Sequence, residues 1–312
     1  MFTAKKLMFL YAVTPVHMGA GTALGVIDNP IQREVHTGHP VFAGSGIKGA
    51  LRHEAEGLKD PEGKPKINVK AVFGPETNAS EHAGAASFAD AQLVAFPVRS
   101  LREGYVYATS PGALARLGRL AVIARARDFP ADGLPGPSDT QAVVLADNLL
   151  AQNRLILESY AFDSLTDNGG LKEVARWLAA NALPDGDGHT FFRNKLEKHL
   201  VLLSDTQLAF FVRNSTLVEP HVRIDDVSGT ADDGGLFFTE NLPPESLMVS
   251  LAMASQERRR KGDIGDGKET AEVILKSLTD TFSGRPVQIG GDATTGRGQV
   301  IVNFVGGGDA HA

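Results

Sequence analysis

The chain has 312 residues, 42% of them hydrophobic, which is enough for one large domain or two small ones with a substantial core. A formal net charge of −6 argues against indiscriminate nucleic-acid binding, because that affinity comes largely from phosphates neutralised by lysine and arginine. The absence of cysteine excludes disulfides, thiolate metal sites, iron–sulfur clusters and cysteine nucleophiles.

The N-terminal part of the chain alternates between apolar runs and glycine-rich polar sequence. Residues 6–17 are an apolar run that predicts a central strand covered on both faces, with Pro15 ending its pairing. Residues 18–46 contain scattered glycines and prolines, which is typical of a long functional loop or a loose hairpin. Residues 45–58 carry apolar side chains at helical spacing, and we expect Ser45 to cap this helix.

The centre of the chain is predicted to be mostly helical. Residues 87–98 and 154–162 are strand-like, and Ser110 is expected to cap a helix that extends to residue 120. Apolar side chains at helical spacing predict three more helices, over residues 171–183, 191–200 and 204–213.

The C-terminal third is predicted to contain a long exposed hairpin. It would pair residues 218–224 with residues 247–253, and an acidic, glycine-rich tip would join them. A helix over 270–282, strands over 287–289 and 299–304, and a disordered tail complete the prediction. Strands and helices in mixed order favour an α+β sheet with helices on one face.

A candidate anion site lies at the start of the helix predicted over residues 45–58. Glycines next to Ser45 leave backbone N–H groups free at a helix N-terminus, and Lys48 and Arg52 share one helix face. The alternative is a capped helix with two solvated cations. The spacing is not that of a Walker A loop, so ATP binding is not expected.

Asp28 and His17 are the candidate catalytic side chains in the N-terminal part. A loop aspartate can form an Asx turn or be solvated; it can also bind a divalent metal or help deprotonate a ribose 2′-OH. His17, beside a strand end, could act as an acid or base or be structural. The residues alone leave these alternatives open.

A second glycine-rich stretch lies near the C-terminus, at residues 290–298. It could wrap a phosphate in a backbone nest, or it could be a tight β connection in which glycine supplies positive φ. The residues that could contact such a phosphate are Gly290, Gly291, Thr294, Thr295, Gly296 and Arg297. The basic run at residues 258–261 is interpreted as a solvated face.

Five stretches together resemble one family, the RAMP-superfamily backbone subunit of type III-B CRISPR effectors (Cmr complexes). They are LYAVTPVHMGAGTALGVIDNPIQREVHTGHPVFAGSGIKGALR at 10–52, FADAQLVAFPVRS at 88–100, TSP at 109–111, GGLFFTENLP at 234–243 and VQIGGDATTGRGQV at 287–300. The resemblance implies a single domain over 1–312 with a ferredoxin-like palm that resembles an RNA-recognition motif. It also implies a projecting β-hairpin thumb at about 217–254, an inserted helical region at about 163–215 and a disordered tail at about 306–312.

The resemblance also implies roles for particular residues. Ser45, Lys48 and Arg52, with Arg33 nearby, match the site that the family uses toward guide RNA, and residues 290–298 match its C-terminal glycine loop. Asp28 occupies the position of the family's cutting aspartate, which implies Mg2+ or Mn2+ as cofactor. Glu240 lies near an acidic position that assists cutting, and His17 is the third candidate.

The partners implied are a CRISPR guide RNA, a complementary target RNA, copies of the chain in a helical filament and other type III-B effector subunits. No run of about 18 apolar residues is present, so we expect a cytoplasmic protein without a membrane partner. Two alternatives to a guide-directed endoribonuclease remain: a non-catalytic guide-binding scaffold, and a ribonuclease that processes precursor guide RNA as an isolated monomer.

Overall fold

A computed structural model describes residues 1–21, 25–75, 82–126, 128–130, 133–165, 169–258 and 268–306. Residues 307–312 of the predicted disordered tail, and 259–261 of the basic run, lie outside this part of the chain. None of the helices within it combines the length and apolarity that a bilayer crossing needs.

The strands are β1 (Ala4–Ala12), β2 (Val41–Phe42), β3 (Ala86–Phe88), β4 (Ala91–Arg99), β5 (Tyr105–Thr109), β6 (Gln141–Val144), β7 (Leu150–Ala151), β8 (Arg154–Leu157), β9 (Tyr160–Leu165), β10 (Leu200–Leu202), β11 (Leu217–Ile224), β12 (Ala231–Asn241), β13 (Leu247–Ala254), β14 (Arg285–Gln288) and β15 (Gln299–Val305). The helices are α1 (Gly44–Gly57), α2 (Val69–Phe73), α3 (Pro111–Ile123), α4 (Leu171–Asn181), α5 (Asp187–His199), α6 (Asp205–Asn214) and α7 (Ala271–Phe282), with short 3-10 helices at Asp147–Leu149 and Ala293–Thr295.

One large sheet forms the centre of the molecule, in the order β14-β15-β1-β13-β4-β5-β10-β6-β9-β8-β7. Its pairs are antiparallel except β5–β10 and β6–β9, which are parallel. Strand β1 lies between β13 and β15, so the prediction of a central strand is confirmed, although β1 ends at Ala12. The α+β fold class is also confirmed.

Helices cover both faces of the sheet, so the prediction of helices on one face is wrong. Met8 and Leu10 of β1 belong to a core with α1, α2 and α7, whereas Leu7 and Phe9 belong to a second core with α3 and α4. Consecutive apolar residues in β1 leave no polar face for solvent, and each face therefore needs its own layer of helices.

The projecting hairpin is built from β11 and β12, and not from the two segments that the sequence suggested. These strands form a separate two-stranded antiparallel sheet, with Leu217 opposite Asn241 and Pro220 opposite Phe238. The prediction that residues 218–224 pair with 247–253 is wrong, because β13 pairs with β1, β3 and β4. Almost every residue of β13 is buried, which suits the sheet interior.

The start of α1 also differs from its prediction. Ala43 is the N-cap residue, and the Gly44 N–H group donates to Asp90 Oδ1 across 2.7 Å. The expected Ser45 cap is therefore wrong, because a carboxylate distant in sequence takes its place. Asp90 also separates β3 from β4, which were predicted as one strand. The Ser110 cap of α3 is confirmed.

Candidate functional site

The base of the hairpin is fixed along one edge of β12 by the N-terminal loop, residues 13–40. The Asn29 N–H group donates to the Phe238 carbonyl at 3.0 Å, and the Glu240 N–H group donates to the Asn29 carbonyl at 2.9 Å. Further along the same edge, Val16 and Leu242 exchange two backbone bonds of 2.9 Å. Two separate parts of the loop therefore lie in line beside one strand.

Asp28 is exposed, and one of its oxygens is held by the hairpin. Oδ2 accepts from the Phe238 N–H group at 2.7 Å, so the carboxylate binds a strand distant in sequence. Among the described residues, no group donates to Oδ1. Asp28 therefore has a fixed orientation and one oxygen available to a ligand.

His17 binds the same edge of β12. Its Nδ1 lies 2.7 Å from the Glu240 carbonyl oxygen, and because a carbonyl only accepts, Nδ1 carries the proton. In the neutral ring Nε2 is then the acceptor. A Cβ at Gly19 would lie 2.9 Å from Nε2, so glycine at that position keeps this nitrogen approachable. The structure thus brings His17 and Asp28 to the same strand edge.

Glu240 is enclosed within the base of the hairpin and is only 3% exposed. Oε1 accepts from Arg33 Nη2 at 2.5 Å and from Thr216 Oγ1 at 2.8 Å, and Oε2 accepts from the Ile31 N–H group at 3.1 Å. Both oxygens are used by the protein itself. The predicted catalytic role of Glu240 stays a prediction, and its contacts are those of a structural carboxylate.

The C-terminal glycine loop, residues 290–298, packs directly on the segment that carries His17. The Gly291 N–H group donates to the His17 carbonyl, and the Gly298 N–H group donates to the Pro15 carbonyl, both at 2.8 Å. Gly290 has φ of 87°, and a Cβ there would lie 2.4 Å from the His17 oxygen. Glycine at position 290 is thus required for close packing beside the candidate site.

The outer part of the glycine loop is exposed. Thr294, Thr295 and Gly296 are on the surface, and the Thr295 hydroxyl donates to the Asp292 carbonyl at 2.8 Å. Arg297 is half-buried and forms an ion pair with Glu219 of β11. Arg297 therefore joins the glycine loop to the hairpin, and its predicted RNA contact stays a prediction.

Helix α1 begins beside the same segment. A Cβ at Gly46 would lie 3.2 Å from Met18 Cε, so the first turn of α1 packs on the residue after His17. Ser45 is exposed there, and the N–H groups of Ser45 and Gly46 have no acceptor among the described residues. The first turn of α1 is therefore open to a ligand, even though Asp90 occupies the Gly44 N–H group.

The two cations of α1 lie further along the helix and are half-buried. Lys48 Nζ donates to the Ala86 carbonyl at 3.1 Å, and burial lowers the pKa of Lys48, as do the charges of Arg52 and Arg258. Arg52 donates to the Gly74 carbonyl at 3.1 Å and pairs with Glu56. Three cations therefore lie close enough to act on one another electrostatically.

The N-terminal loop is also held by α3, through contacts that the sequence does not predict. Arg116 of α3 forms an ion pair with Glu34 of the loop. Burial alone would raise the pKa of Glu34, but hydrogen bonds from Arg116 and Thr37 outweigh it, so the pKa lies below its ordinary value. Glu34, Arg116, Thr216 and Glu219 were all missed, because their partners are distant in sequence.

The described residues contain no group of three histidine or acidic side chains that could hold a metal ion. The free oxygen of Asp28 is a hard ligand of the kind that magnesium and manganese prefer. Mg2+ or Mn2+ as cofactor therefore stays a prediction, with Asp28 as its candidate ligand on this chain.

Comparisons with known proteins agree along nearly the whole chain. The RAMP superfamily profile matches residues 9–301. A Pyrococcus furiosus protein named CRISPR system Cmr endoribonuclease Cmr4 is 34% identical over 299 residues, covering 96% of this chain and 95% of that protein. The Saccharolobus solfataricus protein named CRISPR system CMR subunit Cmr4 is 27% identical over 325 residues, covering 97% of each. The crystal structure of oligomeric Cmr4 from Pyrococcus furiosus superposes with a TM-score of 0.71 at 27% identity, covering 96% of this chain and 97% of that one.

Proposed function

The chain belongs to the RAMP superfamily, and we propose that it is a backbone subunit of a type III-B CRISPR effector that binds guide RNA and cuts complementary target RNA. A relative named as an endoribonuclease, 34% identical over nearly the full length, supports an RNA-cutting activity. The observation that carries the proposal is Asp28: it is exposed, anchored by Oδ2 to Phe238, and its Oδ1 is available beside the edge that holds His17.

The partners follow from the same relatives. One relative is named as a subunit of the CMR system, and another has been crystallised in an oligomeric form. We infer that copies of this chain stack in a helical filament along the guide, together with other effector subunits, in the cytoplasm.

The chemistry expected of the site is scission of an RNA phosphodiester. His17 Nε2 is a proton acceptor, so it can take the proton of a ribose 2′-OH as that oxygen attacks the adjacent phosphate and the 5′ oxygen leaves. Asp28 has a fixed carboxylate that can orient the reacting group or bind a cation. Bound Mg2+ or Mn2+ would supply Lewis-acid stabilisation of phosphate charge, with RNA and water completing the ligand set that one carboxylate leaves open.

Guide binding is expected at α1 and at the C-terminal glycine loop, both of which pack on the segment that carries His17. The open first turn of α1 with Ser45, the cations Lys48 and Arg52, and the exposed part of the glycine loop offer N–H groups, hydroxyls and positive charge to phosphates. Base pairing with the guide would select the target, so we expect little sequence preference from the protein.

One observation favours the non-catalytic scaffold as a second candidate. The Glu240 carboxylate is fully engaged by the protein, so of the two acidic residues proposed to take part in cutting, only Asp28 keeps an oxygen without a donor among the described residues. A processing ribonuclease, the third alternative, would act without partner subunits.

Reconstitution separates these functions. The chain is assembled with its partner subunits and a guide, then mixed with labelled complementary RNA in magnesium or in EDTA. Regularly spaced, metal-dependent cuts support the proposal, and bound but intact target supports the scaffold. Cleavage of a precursor guide RNA by the isolated chain would instead support the processing enzyme.

A further inference from the structure

The guanidinium of Arg33 connects three separate parts of the molecule. Nη1 donates to the Gly38 carbonyl at 2.8 Å and to the Val212 carbonyl at 3.3 Å, and Nη2 donates to Val212 and to Glu240 Oε1. These acceptors belong to the N-terminal loop, to α6 and to β12. Each Nη nitrogen has two hydrogens, so all four are already used.

Glu240, the partner of Arg33 on β12, is in contact with both candidate catalytic segments. Its carbonyl accepts from His17 Nδ1, its N–H group donates to the Asn29 carbonyl, and its Oε2 accepts from the Ile31 N–H group. A shift of Glu240 would therefore move the residues that flank Asp28 together with the ring of His17.

We propose that Arg33 is a positioning residue and not an RNA ligand: through Glu240 it holds β12 against the N-terminal loop, and so fixes where Asp28 and His17 meet the target. The inference rests on the proposed function, since it assigns Arg33 a part in the same cleavage site. It differs from the sequence-based expectation, in which Arg33 contacts RNA directly.

The exposure of Arg33 supports this assignment. Its side chain is 21% exposed, and that of Glu240 is 4% exposed, so the pair lies largely out of water. A planar guanidinium can serve three acceptors in fixed directions, whereas a lysine ammonium is a point charge that can pair with a phosphate but does not reproduce those directions. Lysine at position 33 therefore separates the two roles.

The test uses the assembled complex with Arg33→Lys, and with Arg33→Met combined with Glu240→Gln, which leaves no unpaired buried charge. Arg154→Met is the matched control, because Arg154 also pairs with a carboxylate, Asp163, but lies in β8 near the far edge of the sheet. Four quantities are measured: guide affinity and target affinity, each over a range of salt, single-turnover cleavage at saturating target, and amide exchange of Phe238 and Glu240.

For both Arg33 variants we expect single-turnover cleavage to fall about 10- to 100-fold, because small displacements of reacting groups have effects of that order. Guide affinity, target affinity and the salt dependence of both should match wild type, and exchange of the Phe238 and Glu240 amides should be faster. The Arg154 control should match wild type throughout.

Weaker guide or target binding with a salt slope shallower by about 0.7, restored by Arg33→Lys, would show an RNA ligand and overturn the proposal. Unchanged cleavage and amide exchange would overturn it as well. If the wild-type complex does not cut at all, the proposed function fails, and amide exchange still decides whether Arg33 holds the strand.

Discussion

His17 Nδ1 lies 2.7 Å from the carbonyl oxygen of Glu240, so the imidazole of this residue in the N-terminal loop is bound to the hairpin. Asp28 binds the same strand through the Phe238 N–H group. A single strand edge therefore holds the two candidate catalytic side chains, which the sequence separates by a glycine-rich loop.

Replacing His17 by asparagine distinguishes its two nitrogens. The asparagine Nδ2 can still donate to the Glu240 carbonyl, but nothing replaces Nε2. We expect His17→Asn to assemble with guide RNA normally and to lose at least about tenfold in single-turnover cleavage, since a general base typically contributes 10²–10⁴-fold. Cleavage at the wild-type rate in His17→Asn, with loss only in His17→Ala, would reduce His17 to a structural role.

Gly44 should not tolerate a side chain. A Cβ there would lie 2.2 Å from the Phe88 carbonyl oxygen, and backbone would have to move. We expect Gly44→Ala to lower the free energy of unfolding by about 1–3 kcal/mol. Gly49 of the same helix is the control, because a Cβ there meets nothing within 4 Å. We therefore expect Gly49→Ala to raise the free energy of unfolding by about 0.5–1 kcal/mol. Both free energies of unfolding are measured by denaturant titration. Equal values for the two variants would refute this explanation of how α1 begins.

Glu245 should make stability depend on pH. Burial raises the pKa of Glu245 to about 7 from an ordinary 4.5, and the Tyr11 hydroxyl donates to its carboxylate. Between these two pKa values, the carboxyl group of Glu245 is protonated in the folded protein and ionised in the unfolded chain. The resulting stability is fully present below the unfolded pKa and is lost as pH rises through the folded pKa.

We therefore expect Glu245→Gln to raise the melting temperature relative to wild type at pH 8 but not at pH 4.5. Glu62→Gln replaces an exposed glutamate and is the matched control. It should leave the melting temperature unchanged at both pH values. An equal gain for Glu245→Gln at both pH values would contradict the prediction.

Lys48 should contribute to guide binding through charge alone. Lys48→Met is expected to weaken guide affinity by a similar factor for guides of different sequence, and to make the salt slope shallower by about one unit. Lys172→Met is the control, because it removes an exposed lysine from α4, which packs on the opposite face of the sheet from α1. Guide affinity and its salt slope should both be unchanged in this variant. Filter binding across a salt series measures both quantities. An unchanged slope in Lys48→Met would place the guide elsewhere.

The parts of the fold that local sequence determines were predictable. The apolar run of β1 indicates a strand buried on both faces, and Ser110 is a capping residue that binds the helix directly following it. The sequence does not predict β12 as a strand, because glycines and aspartates at its start obscure the alternation and indicate instead the tip of a hairpin.

The contacts that build the site join residues distant in the sequence, and no local pattern encodes them. The Gly44–Asp90 cap and the Arg33–Glu240 pair both depend on how the sheet and the hairpin fold together. The residues alone identified Asp28 only as a loop carboxylate, and the family resemblance raised it to the leading candidate. Its anchoring to Phe238 is visible only in three dimensions.

Asp28→Asn is the most direct test of the proposed nuclease. The amide oxygen can still accept from the Phe238 N–H group, so the loop should keep its position while the carboxylate charge is lost. Wild type, Asp28→Asn and the exposed control Asp147→Asn are compared at equal assembly with labelled target RNA and magnesium. We predict that the regularly spaced cuts vanish only in Asp28→Asn while target binding persists; cuts that survive in this variant would show that Asp28 shapes the loop and that the cutting residue lies elsewhere.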